Sequence, residues 1–303
     1  MTPIEKSSAP SEVEIWIQGA RRTPEDSFVS VLDRGFLYGD SVFETLRTYN
    51  GSPFALDEHL ERLEQSASRV FIELPLPLDE LKAEVVRAVG ESAFAECYVR
   101  VMITRGVGAL GLDPGLAVDP TRVLIVAPLK PPPLEAYRDG IRVISFQTSR
   151  VNDATEAAGA KIGNYLVAVL ANRKASEQGA KEALIVSPEG EVLEGATSNV
   201  FWFQKGELFT VPLQAGILAG ITRKYILEAA RLGGTALREK VPSLAELSEA
   251  DGVFVSSSIR EMLPVVAIDG VSIGDGSVPP AVTALHAQFR ELVGAPVLRL
   301  AES

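Results

Sequence analysis

The chain has 303 residues, 46% of them hydrophobic and 23% charged, with a formal net charge of −11. That length suits two domains rather than one small core, and the acidic balance argues against a nucleic-acid partner, whose phosphates it would repel. Cys97 is the only cysteine, which excludes an intramolecular disulfide, and with two histidines beside it a soft-ligand transition-metal site is not expected.

No stretch reaches the roughly 20 apolar residues needed to span a bilayer. The opening run MTPIEKSSAPSEVE is acidic and has no apolar core, so residues 1–13 are expected to form a disordered lead-in rather than a secretory signal. The cytoplasm is the expected location. Short β-rich alternation then predicts strands at Glu14–Gly19 and Ser27–Leu32. Ser41–Tyr49, Asn50-Gly51 and Ser52–Leu56 predict a hairpin, because Asn-Gly accepts the positive φ angles of its turn. Asp57 is expected to cap a helix whose apolar face is Leu60, Leu63, Ala67, Val70 and Phe71. A helix at Leu78–Val89 and strands at Ala95–Thr104 and Arg122–Pro128 follow.

Residues 129–140 (LKPPPLEAYRDG) hold three consecutive prolines, which suit neither a helix nor a central strand. They are read as a linker between a first domain, 14–128, and a second, 141–303. The second domain is expected to contain a strand at Ile141–Gln147, a helix at Asn164–Gln178 and a strand pair around Pro188–Gly190. Two more strands, a helix at Thr222–Leu232, a β-like stretch at Gly252–Ser256 and a helix at Val282–Leu292 complete it. Strands joined by hairpins point to an α+β fold. No glycine-rich fingerprint follows a strand, so a Rossmann cofactor site is unsupported.

Four features could carry chemistry. Lys161, in AAGAKIGNY, is flanked by small and apolar residues, a setting that favours the neutral amine able to condense with an aldehyde; a surface lysine is the plainer reading. Glu194, in EVLEGATSNVFWF, is a carboxylate in an apolar strand pair, where a protonated ring nitrogen would be a suitable partner. A solvated edge residue is the alternative, and Ser198-Asn199 reads as a turn that satisfies its own backbone. Arg62 follows His59 by three residues on one helix and could grip a phosphate in a bidentate way, or pair with Glu58 at i, i+4. GILAGITR (216–223) runs into a helix start whose free N–H groups could cradle a phosphate, as many helix starts could.

The run from Glu194 to Arg223 resembles the signature of the class IV aminotransferases, the pyridoxal-phosphate (PLP) enzymes of fold type IV. It holds the glutamate, Ser198-Asn199-Val200-Phe201, Thr210 and Gly220-Ile221-Thr222-Arg223 in order. DRGFLYGDSVFETL (33–46), DEHLERL (57–63), YVRVMITRGVGALGLDP (98–114), KIGNYL (161–166) and FVSSSIREMLPV (254–265) extend the resemblance from about Ile15 to Gly270. It implies a small N-terminal α/β domain and a larger C-terminal domain of mixed β-sheets or barrel. The active site would lie between the two domains, near the interface of a homodimer. Lys161 would hold PLP as a Schiff base and shuttle the substrate Cα proton, Glu194 would keep the pyridine nitrogen protonated, and Tyr165 would bond the ring hydroxyl. Arg62, the N–H groups of Ile221 and Thr222, and Ser258 would bind the phosphate; Asn199 would fix the turn behind the ring. The implied reaction passes an amino group from an amino acid to a 2-oxo acid such as 2-oxoglutarate in two half-reactions.

For the substrate, Tyr38, Phe43, Arg47, Tyr98 and Arg100 fall where branched-chain enzymes of the family line the pocket. The chain lacks the Arg-x-His carboxylate trap of the familiar D-amino-acid enzymes. A branched-chain L-amino acid is therefore favoured. Two departures stand against it. The usual Gly-Thr-Ala-Ala loop is here Ser257-Ser258-Ile259-Arg260, and the approach to Lys161, with Glu156, is not proline-rich. Arg260 could anchor a substrate carboxylate or pair with Glu261 or another acid. A D-amino-acid transaminase with a non-standard carboxylate trap is the alternative, then aminodeoxychorismate lyase. A protein that binds PLP without turnover is a further class of reading, with no feature in its favour.

Overall fold

The structure, a computed structural model, describes residues 12–148 and 155–300. The expected lead-in, apart from residues 12 and 13, lies outside the described residues. The chain divides into two compact units: Met1–Lys130 with Lys161–Gly163, and Pro131–Ala160 with Asn164–Ser303. The short Lys161–Gly163 segment thus belongs to the first unit although its neighbours in sequence belong to the second.

The first unit contains β1 (Glu14–Ile17), β2 (Ala20–Arg22), α1 (Arg34–Tyr38), β3 (Ser41–Tyr49), β4 (Ser52–Pro53), α2 (Leu56–Arg69), α3 (Leu78–Glu91), β5 (Cys97–Thr104) and β6 (Thr121–Pro128). Its strands form one antiparallel sheet in the order β2-β1-β6-β5-β3-β4. Side chains alternate across a strand, so Val42 and Leu46 of β3, Val99, Val101 and Ile103 of β5, and Leu124 and Val126 of β6 share one face. That face packs on Leu60, Leu63 and Ala67 of α2 and on Leu81 and Val85 of α3. Each such buried aliphatic side chain contributes about 1.5–3 kcal/mol. The β3–β4 turn places Asn50 at φ 51° and Gly51 at φ 74°, the left-handed region that the Asn-Gly pair predicted.

Three local expectations are corrected in this unit. Ser27–Leu32 is not a strand; Phe28 and Val31 are 77% and 67% exposed. Alternation there had no neighbouring strand to pair with. Helix α2 begins at Leu56, and its N-cap, Ala55, has φ 50° and makes no side-chain cap bond. Asp57 therefore sits inside the first turn, where its charge still complements the helix dipole. Phe71 lies past the helix end in a left-handed conformation and is exposed, not part of the apolar face.

The second unit opens on α4 (Leu134–Arg138), which starts directly after Pro133. A proline run ends where helical N–H partners first become necessary, so the expected linker carries one short helix. There follow β7 (Ile141–Gln147), α5 (Leu166–Glu177), β8 (Glu182–Val186), β9 (Val192–Gly195), β10 (Asn199–Gln204), β11 (Glu207–Thr210), α6 (Ile221–Leu232), β12 (Leu237–Glu239) and α7 (Leu244–Ser248). Then come β13 (Gly252–Ser257), β14 (Glu261–Ile268), β15 (Val271–Ser272) and α8 (Pro280–Leu292). The sheet runs β12-β11-β10-β13-β14-β7-β8-β9, with β15 beside β14. It is mixed: β7 pairs in parallel with β14 and β8, and most other pairs are antiparallel. Both faces are covered. Val200 and Trp202 of β10 enter one cluster with Leu184, Val253 and Val255. Phe201 and Phe203 enter another with Phe254, Ile226 of α6 and Phe289 of α8. This is the α+β architecture expected for fold type IV. No helix among the described residues is long and apolar enough to cross a membrane.

Candidate active site

In the first unit the sheet face opposite the helices collects the predicted pocket residues. Across β3 and β5 the register sets Phe43 opposite Met102, Thr45 opposite Arg100 and Arg47 opposite Tyr98, so these six side chains share one face. The Arg100 guanidinium lies over the Phe43 ring at 4.0 Å, and Lys161 Nζ lies over the same ring at 4.6 Å. Both are cation–π contacts. The Lys161 backbone is held on both sides. Its N–H donates to Ser66 Oγ at 3.1 Å, and its carbonyl accepts from Phe43 N–H at 3.1 Å. An isolated bridge between Val42 and Ile162 and a bond from Gly163 N–H to the Ser41 carbonyl at 2.7 Å continue this attachment to β3. Of the remaining predicted residues, Arg47 is buried with its guanidinium over Tyr49 at 4.3 Å. Tyr38 ends α1, 40% exposed, and its hydroxyl accepts from Gly111 N–H at 3.4 Å.

Behind that face sits an ion cluster that sequence reasoning missed. Glu44, on the core side of β3, is fully buried and accepts from Arg62 Nε and Nη2, both at 2.7 Å, and meets His59 Nδ1 at 2.7 Å. Arg62 is thus gripped through one edge of its guanidinium, the bidentate geometry that arginine alone provides. The signal was present: Val42 and Leu46 flank Glu44 on the core face, and a buried carboxylate requires a cation. Burial pushes the Glu44 carboxyl up, but the Arg62 charge and the hydrogen bonds from Arg62 and His59 outweigh it and hold it down to about 2. Burial lowers the His59 pKa despite its bond to Glu44, with the Arg62 and Lys161 charges adding in the same direction.

Both shifts act with one sign. The folded state binds fewer protons than the unfolded chain, so stability is full at neutral pH and falls with acid. The fall begins near 6.5, where unfolded His59 takes up its proton, and Glu44 adds to it below 4.5, where its unfolded carboxyl does, down to about 2. His59→Gln is expected to flatten the first part of that fall while keeping the second. Urea unfolding midpoints measured between pH 7.5 and about pH 3 would read both.

In the second unit, Glu194 lies on β9 and its Oε2 accepts from Leu218 N–H at 3.1 Å. Asn199, buried at the start of β10, donates through Nδ2 to the Leu218 carbonyl at 2.9 Å. These two side chains shape the 218–220 turn that delivers α6. A Cβ on Gly220 would stand 2.1 Å from Asn199 Oδ1, so the close approach requires glycine. The helix begins at Ile221 with Gly220 as an N-cap that makes no side-chain cap bond, leaving the N–H groups of Ile221 and Thr222 in the first turn. Ser256, whose register partner is Asn199, has a buried Oγ with no hydrogen-bond partner among the described residues. An orphaned hydroxyl opposite a residue that orders a helix start is the kind of group an anion's oxygen would satisfy. Tyr165 is the N-cap residue of α5.

Ser257 ends β13, and Ser258, Ile259 and Arg260 form the turn to β14. Arg260 pairs with Glu182 through Nη1, and donates from Nε to Ser257 Oγ at 3.1 Å and from Nη2 to the Thr197 carbonyl at 3.2 Å and to Thr197 Oγ1. Of the two readings open for Arg260, the structure has the ion pair, and its acid is Glu182. Glu261 is instead buried with His286 and Arg290.

Comparison with known proteins gives the family. Residues 41–268 match the Amino-transferase class IV family. A putative branched-chain-amino-acid aminotransferase of Methanocaldococcus jannaschii is 36% identical, the match covering 92% of this chain and 96% of that one. A D-alanine aminotransferase of Bacillus licheniformis is 32% identical, covering 88% and 93%. A branched-chain amino acid aminotransferase of T.th., solved with pyridoxamine 5'-phosphate, superposes with a TM-score of 0.87 at 30% identity, covering 94% and 96%. The family match over residues 41–268 and these likenesses along most of the chain make it a member of the class IV aminotransferases, an enzyme that transfers amino groups.

Proposed function

We propose that the protein is a PLP-dependent transaminase that takes the amino group of a branched-chain L-amino acid and passes it to a 2-oxo acid such as 2-oxoglutarate. The observation that carries this reading is Lys161 Nζ over the Phe43 ring, on a sheet face that also bears Tyr98, Arg47 and Arg100. An aromatic and aliphatic surface suits an apolar side chain, and guanidinium groups suit carboxylates.

The residues fit the cofactor. In the first unit a lysine with a pinned backbone suits an aldehyde; in the second a carboxylate held by a backbone N–H suits a pyridine nitrogen, and an uncapped helix start with a buried hydroxyl nearby in register suits a phosphate. When bound, PLP supplies the aldehyde that receives the amino group and a ring that spreads the electron pair left as Cα loses its proton. Lys161 holds the cofactor and then moves that proton through Nζ. Glu194 keeps the ring nitrogen protonated and Tyr165 bonds the ring hydroxyl. Arg62, Ser258 and the N–H groups of Ile221 and Thr222 hold the phosphate; Asn199 fixes the turn that presents them. For the substrate, the assigned residues are Tyr38, Phe43, Arg47, Tyr98 and Arg100 in the first unit and Ser257, Ile259 and Arg260 in the second.

A homodimer in the cytoplasm is part of the proposal. Leu166, Val167, Val169 and Leu170 of α5 are 45–64% exposed, and in the first unit Phe28 and Phe36 are 77% and 67% exposed, apolar side chains of the kind a partner subunit would cover. Sedimentation equilibrium would read the mass directly.

A half-reaction tests the activity. Purified protein loaded with PLP is mixed with single L- and D-amino acids while the absorbance of the bound cofactor is followed. L-Leucine or L-valine should bleach the band, and a 2-oxo acid should restore it. Bleaching by D-alanine or D-glutamate alone would give the D-amino-acid reading instead. A bound cofactor that no donor alters would favour the lyase. Absence of any cofactor band after adding PLP would defeat the reading.

A further inference from the structure

Glu182 opens β8 with no exposed surface. Its Oε2 accepts from Arg260 Nη1 and, at 3.3 Å each, from Thr197 Oγ1 and Ser198 Oγ. Its Oε1 accepts from Ala183 N–H at 3.2 Å. The Arg260 guanidinium meanwhile reaches Ser257 and Thr197. The Arg260 carbonyl is held as well, accepting from Tyr137 OH at 3.2 Å, and Tyr137 stacks on His286, which bonds Glu261. One arginine therefore ties together two separate turns. One is residues 195–198, directly after Glu194; the other is residues 257–260, directly after Ser256. Both turns adjoin or bear groups assigned above to the cofactor and substrate.

We propose that Glu182 and Arg260 are positioning residues for the transfer reaction: their pair, closed by Thr197, fixes the 257–260 turn against the 195–198 turn, so that Arg260 acts through the turn backbone rather than by touching the substrate carboxylate. The proposal rests on the transaminase reading above. The physical argument is commitment of donors. Arg260 spends Nε, Nη1 and Nη2 on protein acceptors, and its side chain is 20% exposed against none for Glu182. Swinging Arg260 out to a substrate would strand a buried carboxylate, which breaks a desolvated pair for the sake of a solvated one. A carboxylate that docks at this turn is met by its backbone N–H groups, whose direction the tie sets.

The test compares wild type with Glu182→Gln, Arg260→Gln and the double variant, each as full-length protein loaded with PLP. Three quantities are read: KM and kcat for donor and 2-oxo acid, the dissociation constant of PLP, and the thermal midpoint. Misplacement of a turn by about 1 Å costs up to about 100-fold, so each single variant should raise KM by roughly 10- to 100-fold and weaken PLP retention. Because both changes break one interaction, the double variant should be no worse than the more impaired single. A large loss in Arg260→Gln with Glu182→Gln near wild type would mean that Arg260 touches the substrate and would overturn the proposal. A drop in thermal midpoint with KM and PLP retention unchanged would overturn it too, making the pair structural only. Should the charge-removing variants fail to fold, Thr197→Val removes one arm of the tie without stranding a charge; it should shift KM and PLP retention in the same direction, and no shift would sink the idea. Wild-type turnover tests the transaminase reading separately, and PLP retention in the variants does not depend on which donor is used.

Discussion

Lys161→Ala is expected to lose transamination by on the order of 10⁴-fold, the range associated with removing a group that moves a proton in the reaction, and to lose the covalent hold on the cofactor. The fold should survive. What anchors this segment is backbone: the N–H bond to Ser66 Oγ, the carbonyl bond from Phe43 and the Val42–Ile162 bridge. Truncation removes the Nζ contact with Phe43, worth about 0.5–1 kcal/mol at a partly exposed site, so the thermal midpoint should move by only a few degrees. Turnover assays beside calorimetry would separate the two. A variant that retains turnover would remove Lys161 from the chemistry, and a variant that fails to fold would make it a structural residue.

Glu44→Ala should be the most destabilising single change in the first unit. It leaves the Arg62 guanidinium and His59 inside a desolvated space without the carboxylate that both bond. Breaking a buried pair by removing one partner costs about 3–5 kcal/mol, and the cavity left behind adds to it. A fall of roughly 10 °C in the calorimetric transition follows from that range. Because Glu44 orients Arg62, PLP retention should weaken at temperatures where the variant is still folded. Glu44→Gln keeps the shape and one acceptor oxygen, so it should fall between the two. Wild-type stability in Glu44→Ala would mean that the cluster contributes nothing net.

The sequence made some of these features legible and hid others, for physical reasons. The Asn50-Gly51 hairpin and the β7 strand at Ile141–Gln147 could be read because their signals are local: a turn that needs positive φ and a short apolar run between breakers. Ser27–Leu32 had the same local alternation but no partner strand, and pairing is not a local property. Asp57 looked like a cap by type, yet the chain enters α2 earlier, through Ala55. Lys161, Glu194, Asn199 and the start of α6 stand out in the sequence through their order along the chain, not through any single residue's chemistry. Glu44 and Glu182 were passed over because each reads as one acid in an apolar strand. Their cations, Arg62 and Arg260, lie 18 and 78 residues away, and only the fold brings them together. The same distance explains Arg260: its nearest acid in sequence, Glu261, is taken by His286 and Arg290.

Every role proposed for the site depends on Lys161 carrying the cofactor. Purified protein incubated with PLP, reduced with borohydride, digested and mapped by mass spectrometry would place the phosphopyridoxyl group on one peptide. A single label is expected, on Lys161, lost if a productive amino donor is added before reduction. A label on any other lysine, or none at all with PLP present in excess, would contradict it.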